Sequence, residues 1–177
     1  MKNRSLRQSG PEHSLGARLL TLVVAGVVVL VLLPLAFVRW GAGLDAQLGL
    51  SPFVYPPYGW ILGGALAVAG GALGLWSVYV QVDRGRGTPV PLVPTQRLLV
   101  DGPYRYCRNP MTLGTIGLYK GIAVVTGSYG TTALVVTFFV ALLFYILVIE
   151  EKELAARFGP DYEAYKRRTA FLVPGVW

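Results

Sequence analysis

The sequence predicts an all-α integral membrane protein of about four transmembrane helices, with both termini cytoplasmic and a short interfacial helix at the C-terminus. Three observations carry that expectation. Mean hydropathy is +0.54 and only 14% of the 177 residues are charged, too apolar for an ordinary soluble domain. Apolar runs near the roughly 20 residues that a helical span needs recur along the chain. The 16 lysines and arginines gather between those runs. Length alone favours a single membrane domain over 1–177, divisible into a two-span part (1–82), a loop (83–110) and a C-terminal hairpin with its terminal helix (111–177).

Gly16 to Val38 is the first expected span, with Arg18 near its start and Pro34 late in the run. Its flank MKNRSLR resembles a signal peptide's basic region. The apolar run far exceeds the roughly 7–15 residues of a signal's core, so an uncleaved span is expected. GAGLDA at 41–46 spells GxGxxA, but it follows an apolar run rather than a strand and reads as an outer loop. Tyr58 to Val82 is the second span. Its GGALAVAGGALG stretch suits close helix packing. Met111 to Thr126 is a shorter third, carrying Lys120, and Tyr129 to Ile149 is the fourth.

Basic residues set the orientation. Four lie in the tail through Arg18, five in 83–110 and five after Ile149, whereas the GSYG turn at 127–130 has none. The central loop RGRGTPVPLVPTQRLLVDGPYRYCRNP is too rich in proline for helix and is expected to be extended. Beyond Ile149 the helix should run on to Phe158, with Glu153 and Arg157 spaced for an i,i+4 pair. Gly159-Pro160 then breaks it. DYEAYKRR forms a final helix whose acids lead and whose bases trail, as the helix dipole prefers.

The net charge of +7 is distributed for a membrane surface, and no nucleic-acid partner is expected. One cysteine, Cys107, cannot close an internal disulfide, and the lone His13 leaves no histidine–cysteine cluster for a metal. The polar residues of interest sit in two places. GPYRYCRNP (102–110) brings Tyr104, Arg105, Tyr106, Arg108 and Asn109; the inner end of the fourth span brings Glu150 and Glu151. A hairpin of spans three and four draws these together. Arginine forks suit a carboxylate, glutamates an ammonium group and tyrosine rings a flat base or a cation, so a zwitterionic ligand fits the set. Anchoring to lipid phosphates is the alternative use of the same arginines.

GPYRYCRNPMTLG, the EExxL of 150–154 and the FGxxYxxY of 158–165 together resemble the isoprenylcysteine carboxyl methyltransferase and phospholipid methyltransferase families of membrane enzymes. The resemblance covers roughly residues 85 to 174. It implies S-adenosylmethionine as cofactor and a lipid or small amphiphilic acceptor arriving from the bilayer, with carboxyl O-methylation slightly favoured over amine N-methylation. By position, Arg108, Asn109, Pro110 and Gly114 stand for the RHPxYxG element, with Tyr104, Arg105 and Tyr106 just before it. Glu150 and Glu151 stand for the paired acids, and Tyr162 and Tyr165 for aromatics of the helix that closes over the cofactor. Arg108 and Glu151 are the expected catalytic pair; Lys120 and Arg168 are candidates for the substrate. Asn109 and Thr112 replace the usual histidine and tyrosine, so a titrating base at 109 is not expected. A membrane reductase and a non-catalytic lipid-binding or assembly factor are the competing readings. The sequence leaves the oligomeric state open.

Overall fold

The structure, a computed structural model, describes residues 15–85 and 95–175. The N-terminal basic flank with His13, the centre of the proline-rich loop and the last two residues lie outside the described residues. The fold is all-helical: among the described residues, the β-type pairing is an isolated parallel bridge between Cys107 and Ala170. Helix α1 (Leu15–Val27) continues through a π turn (Val28–Leu32) into α2 (Leu33–Leu48), making one rod. Helix α3 (Tyr58–Asp83) follows, then α4 (Pro110–Thr126) and α5 (Tyr129–Tyr145). A second π turn (Ile146–Glu150) leads into α6 (Glu151–Phe158), and α7 (Pro160–Arg168) ends the helical part.

Among the described residues, three helical segments are long and apolar enough to cross a membrane: Leu20–Leu48, Tyr58–Asp83 and Tyr129–Phe158. The third expected span does not reach that length. Helix α4 has 17 residues, about 25 Å at the rise of an α-helix, against about 30 Å of hydrocarbon.

The first span is longer than the sequence suggested, and GAGLDA is helix rather than loop. Its glycine is used for contact, not for turning. A Cβ at Gly41 would stand 2.3 Å from the backbone nitrogen of Thr131, so α2 and α5 touch backbone to backbone there. Asp45 of the same stretch accepts the Gly130 N–H at 2.7 Å, satisfying a donor at the start of α5. Pro34 does not stop the helix because the π turn precedes it. Leu33 N–H donates to Val28 O, a five-residue step. Repeating that step would pair Val29 O with Pro34, which has no N–H. Tyr119 of α4 donates its hydroxyl to Val29 O instead, anchoring a core of Phe37, Tyr119, Val135 and Phe139.

Helices α3 and α4 pack along a glycine seam, as the GGALAVAGGALG stretch led us to expect. Gly63 and Gly70 of α3 face Gly121 and Gly114 of α4, where an added Cβ would meet opposing backbone atoms at 2.4–2.7 Å. The seam holds the start of α4, and therefore the 102–110 segment, against the C-terminal end of α3. Tyr104 donates to Gln81 Oε1 at 3.4 Å across the same junction.

Candidate functional site

The site lies where α6 leaves the bundle and the chain doubles back. Gly159 adopts φ 53° and ψ −129°, a conformation largely reserved for glycine. Pro160 then starts α7 at its first turn, where its missing N–H is harmless. The break falls where the sequence put it. Doubling back lays α7 across the 104–109 segment. Cys107 pairs with Ala170, Arg108 N–H donates to Ala170 O at 2.8 Å, and the Tyr165 hydroxyl donates to Tyr104 O at 2.6 Å.

Arg108 and Glu151, distant in sequence, meet as a buried ion pair. Nε and Nη2 of Arg108 donate to one oxygen, Glu151 Oε1, at 3.0 and 2.7 Å. Arg108 Nη1 donates to the carbonyls of Lys166 and Thr169 at 3.1 and 2.8 Å. A guanidinium thus caps the C-terminal end of α7, where unpaired carbonyls and the helix dipole favour a cation. The other oxygen, Glu151 Oε2, accepts from Lys166 Nζ at 2.6 Å. The Arg108 and Glu151 side chains are only 10% and 7% exposed, while Lys166 is 41% exposed. The expected division, arginine for a ligand carboxylate and glutamate for a ligand ammonium, is fulfilled at these two residues by groups of the chain itself.

Glu150 differs. It is half-buried at the end of the second π turn, and no cation among the described residues pairs with it. Tyr104 and Tyr162 lie within electrostatic reach of its charge. Burial pushes the hydroxyls of both tyrosines well above the ordinary phenol range. The Glu150 charge raises Tyr104 further, and that of Glu151 raises Tyr162. The hydroxyls therefore act as neutral donors. Tyr165, buried beside them, is raised for the same reason.

The structure brings together Tyr104, Arg108, Glu150, Glu151, Tyr162 and Tyr165, and it distributes the remaining candidates elsewhere. Asn109 donates to Phe171 O at 3.1 Å, fastening the tail. Pro110 is buried at the start of α4, and Gly114 belongs to the seam with α3. Arg105, Tyr106 and Arg168 are exposed. Lys120 is exposed on α4, ten residues beyond Pro110 and so about 15 Å along the helix axis. It is not near the cluster. Arg157, spaced to pair with Glu153, instead donates to Thr95 O. Lys166 is the member that sequence reasoning missed. Its place in the last turn of α7 was accounted for by the dipole, although two adjacent acids beside one arginine leave room for another cation.

A short-connected helical bundle with a buried polar cluster at one end of its apolar helices defines the class: an integral membrane protein. Comparison with known proteins gives the class a chemistry. Residues 58–161, more than half of the chain, match the phospholipid methyltransferase family, and the chain belongs to that family. It is also 32% identical over 71 residues to methanethiol S-methyltransferase 1 of Bradyrhizobium diazoefficiens. That match covers 40% of this chain and 24% of the relative, so the chain spans well under half the relative's length. No solved structure matches the chain. The family match begins with α3 and ends in α7, taking in every residue of the cluster except Tyr162, Tyr165 and Lys166.

Proposed function

We propose that the protein transfers a methyl group from S-adenosylmethionine to a lipid or small amphiphile at the cytoplasmic face of the membrane. The observation that carries this reading is Glu150: a half-buried carboxylate with no described cation, flanked by Tyr104 and Tyr162. The donor set fits the cofactor. An α-ammonium group suits Glu150, and a flat base suits the tyrosine rings. The exposed Arg105 is available to a carboxylate. In this reading Arg108 and Glu151 build the wall that supports those groups.

The cofactor supplies a sulfonium that is already activated toward displacement. The residues of this chain have simpler work: to orient donor and acceptor in line and to keep water out. Tyr104 and Tyr162 hold their protons, so they orient ligands without extracting protons. Asn109 cannot titrate at neutral pH, and its amide is already committed to Phe171 O. The site thus has no evident general base, which favours an acceptor that is anionic before it binds. A carboxylate meets that need; a thiol, the class named in the Bradyrhizobium relative, would meet it only after losing its proton. Four membrane crossings with both termini cytoplasmic remain our topology. The short α4 would reach across by leaning on α3 along the glycine seam.

Incubating membranes with radiolabelled methyl donor and extracting lipid and protein separately tests the activity. Label in lipid, released by mild base, is the expected result. Glu150→Gln should weaken donor binding at least several-fold while the fold persists, because one charge-assisted partner is lost. Failure of the purified chain to bind the donor saturably would reject the reading.

A further inference from the structure

We propose that Lys166 is a positioning residue: its bond to Glu151 is a releasable latch that helps hold α7 closed over the site, while the Arg108–Glu151 pair stays made beneath it. The statement about what α7 covers rests on the methyl-transfer reading; the latch itself does not.

The bonds around Glu151 are unequal. Arg108 is tied at three places, to one carboxylate oxygen twice and to the carbonyls of Lys166 and Thr169. Removing it from a position only 10% exposed would orphan three acceptors at once and leave Glu151 charged and buried. The Arg108–Glu151 pair therefore stays made when α7 lifts, and the carbonyls of Lys166 and Thr169 pass from Arg108 to water. Lys166 holds the other oxygen by one bond, on a flexible stem, with 41% of its side chain already in water. Water can replace it as fast as the side chain rotates, and salt screens it. Glu151 keeps its two Arg108 bonds when Lys166 lets go, so opening costs little at the carboxylate. The Gly159 corner provides the pivot, since its backbone conformation is one that other residues resist. Beyond the pivot, α7 and the segment after it are also held by the Arg108 bonds to the carbonyls of Lys166 and Thr169, by the Tyr165–Tyr104 bond and by the Cys107–Ala170 pairing.

Cys107 makes the motion measurable. It is the chain's single cysteine, 2% exposed, and it lies beneath the returning segment as the pairing partner of Ala170. A neutral maleimide should react with it only when that segment lifts. In full-length detergent-purified protein without ligand, Lys166→Met should speed labelling about two- to five-fold, the scale set by losing one partly exposed ion pair. Lys166→Arg should restore the slow rate. For the unmutated chain, raising ionic strength to molar levels should speed labelling, an arm that depends on no variant folding correctly. A wild-type rate for Lys166→Met, or a wild-type rate insensitive to salt, overturns the latch. Adding S-adenosylhomocysteine separates the two ideas. Slower labelling of the unmutated chain, with the slowing reduced in Lys166→Met, supports both. If the compound neither binds nor slows labelling while the ligand-free arms hold, the latch stands and the methyl-transfer reading falls.

Discussion

Gly114 offers the sharpest separation of a packing role from a ligand role, because its position in GPYRYCRNPMTLG gives it to the cofactor and its surroundings give it to α3. A Cβ built on Gly114 would lie 2.5 Å from Gly74 N, 2.7 Å from Gly70 O and 2.9 Å from Gly74 Cα. All three are backbone atoms of a regular helix, so no rotamer change relieves them. Ordinary contact begins near 3.4 Å, so α3 and α4 must separate by about 1 Å, which forfeits a quarter to a half of the dispersion energy of every atom pair facing the gap. Overpacking of this kind costs about 1–3 kcal/mol, and seams made of backbone contact lie at the upper end. Gly71→Ala is the matched control. Gly71 sits on the same seam-forming α3, yet a methyl added there would find nothing within 4 Å, and alanine gains helix propensity. Thermal inactivation in a mild detergent should place Gly114→Ala several degrees below the parent chain and Gly71→Ala at or above it. Donor affinity of the Gly114→Ala protein that remains folded should match the parent. Equal thermal midpoints for Gly114→Ala and the parent would refute the seam; an unchanged midpoint with lost donor affinity would return Gly114 to the ligand.

Two more tests address the corner and the thiol. Gly159→Ala, at φ 53°, should cost about 1–3 kcal/mol of local strain and show as faster maleimide labelling of Cys107 with only a small change in the global midpoint. The Cys107 thiol is held above the ordinary range mainly by burial. Because the thiolate is the reactive form, labelling of the native chain should rise at higher pH than labelling of the denatured chain. Coincident pH profiles would show that the thiol is not buried in solution.

The parts of this fold that were legible in the sequence are those written in a local grammar. Phe158-Gly159-Pro160 spells a helix end and a new start, and α6 and α7 divide there. Ser128 accepts the Thr131 N–H at 2.9 Å and begins α5 where the GSYG turn suggested a connection. The misreadings share a cause. Gly41 and Gly43 read as loop because glycine ends helices in water, where the exposed backbone finds other partners. In an apolar bundle the cost of leaving the helix is an unsatisfied backbone, and Gly41 instead lets α2 meet Thr131 of α5 directly. The first span therefore runs on to Leu48.

The site was half legible for a related reason. Motif spacing could gather Arg108 and Glu151, but it could not say what else Arg108 faces, because its other partners are backbone oxygens of a segment some sixty residues away. Carbonyls carry no sequence signature. A carboxylate pair next to an arginine invites the reading that both acids await a ligand. Charge balance argues otherwise: a buried acid must be compensated when the site is empty as well as when it is full. Glu151 has that compensation from Arg108 and Lys166. Glu150 has none among the described residues, so a cationic ligand gains most at Glu150. The consequence is a difference in phenotype between two adjacent glutamates. Glu151→Gln should loosen α7 and speed Cys107 labelling with no ligand present, whereas Glu150→Gln should leave labelling unchanged and act only on donor affinity. If both variants shift the same readout, the two acids work as one and the division drawn from their partners is wrong.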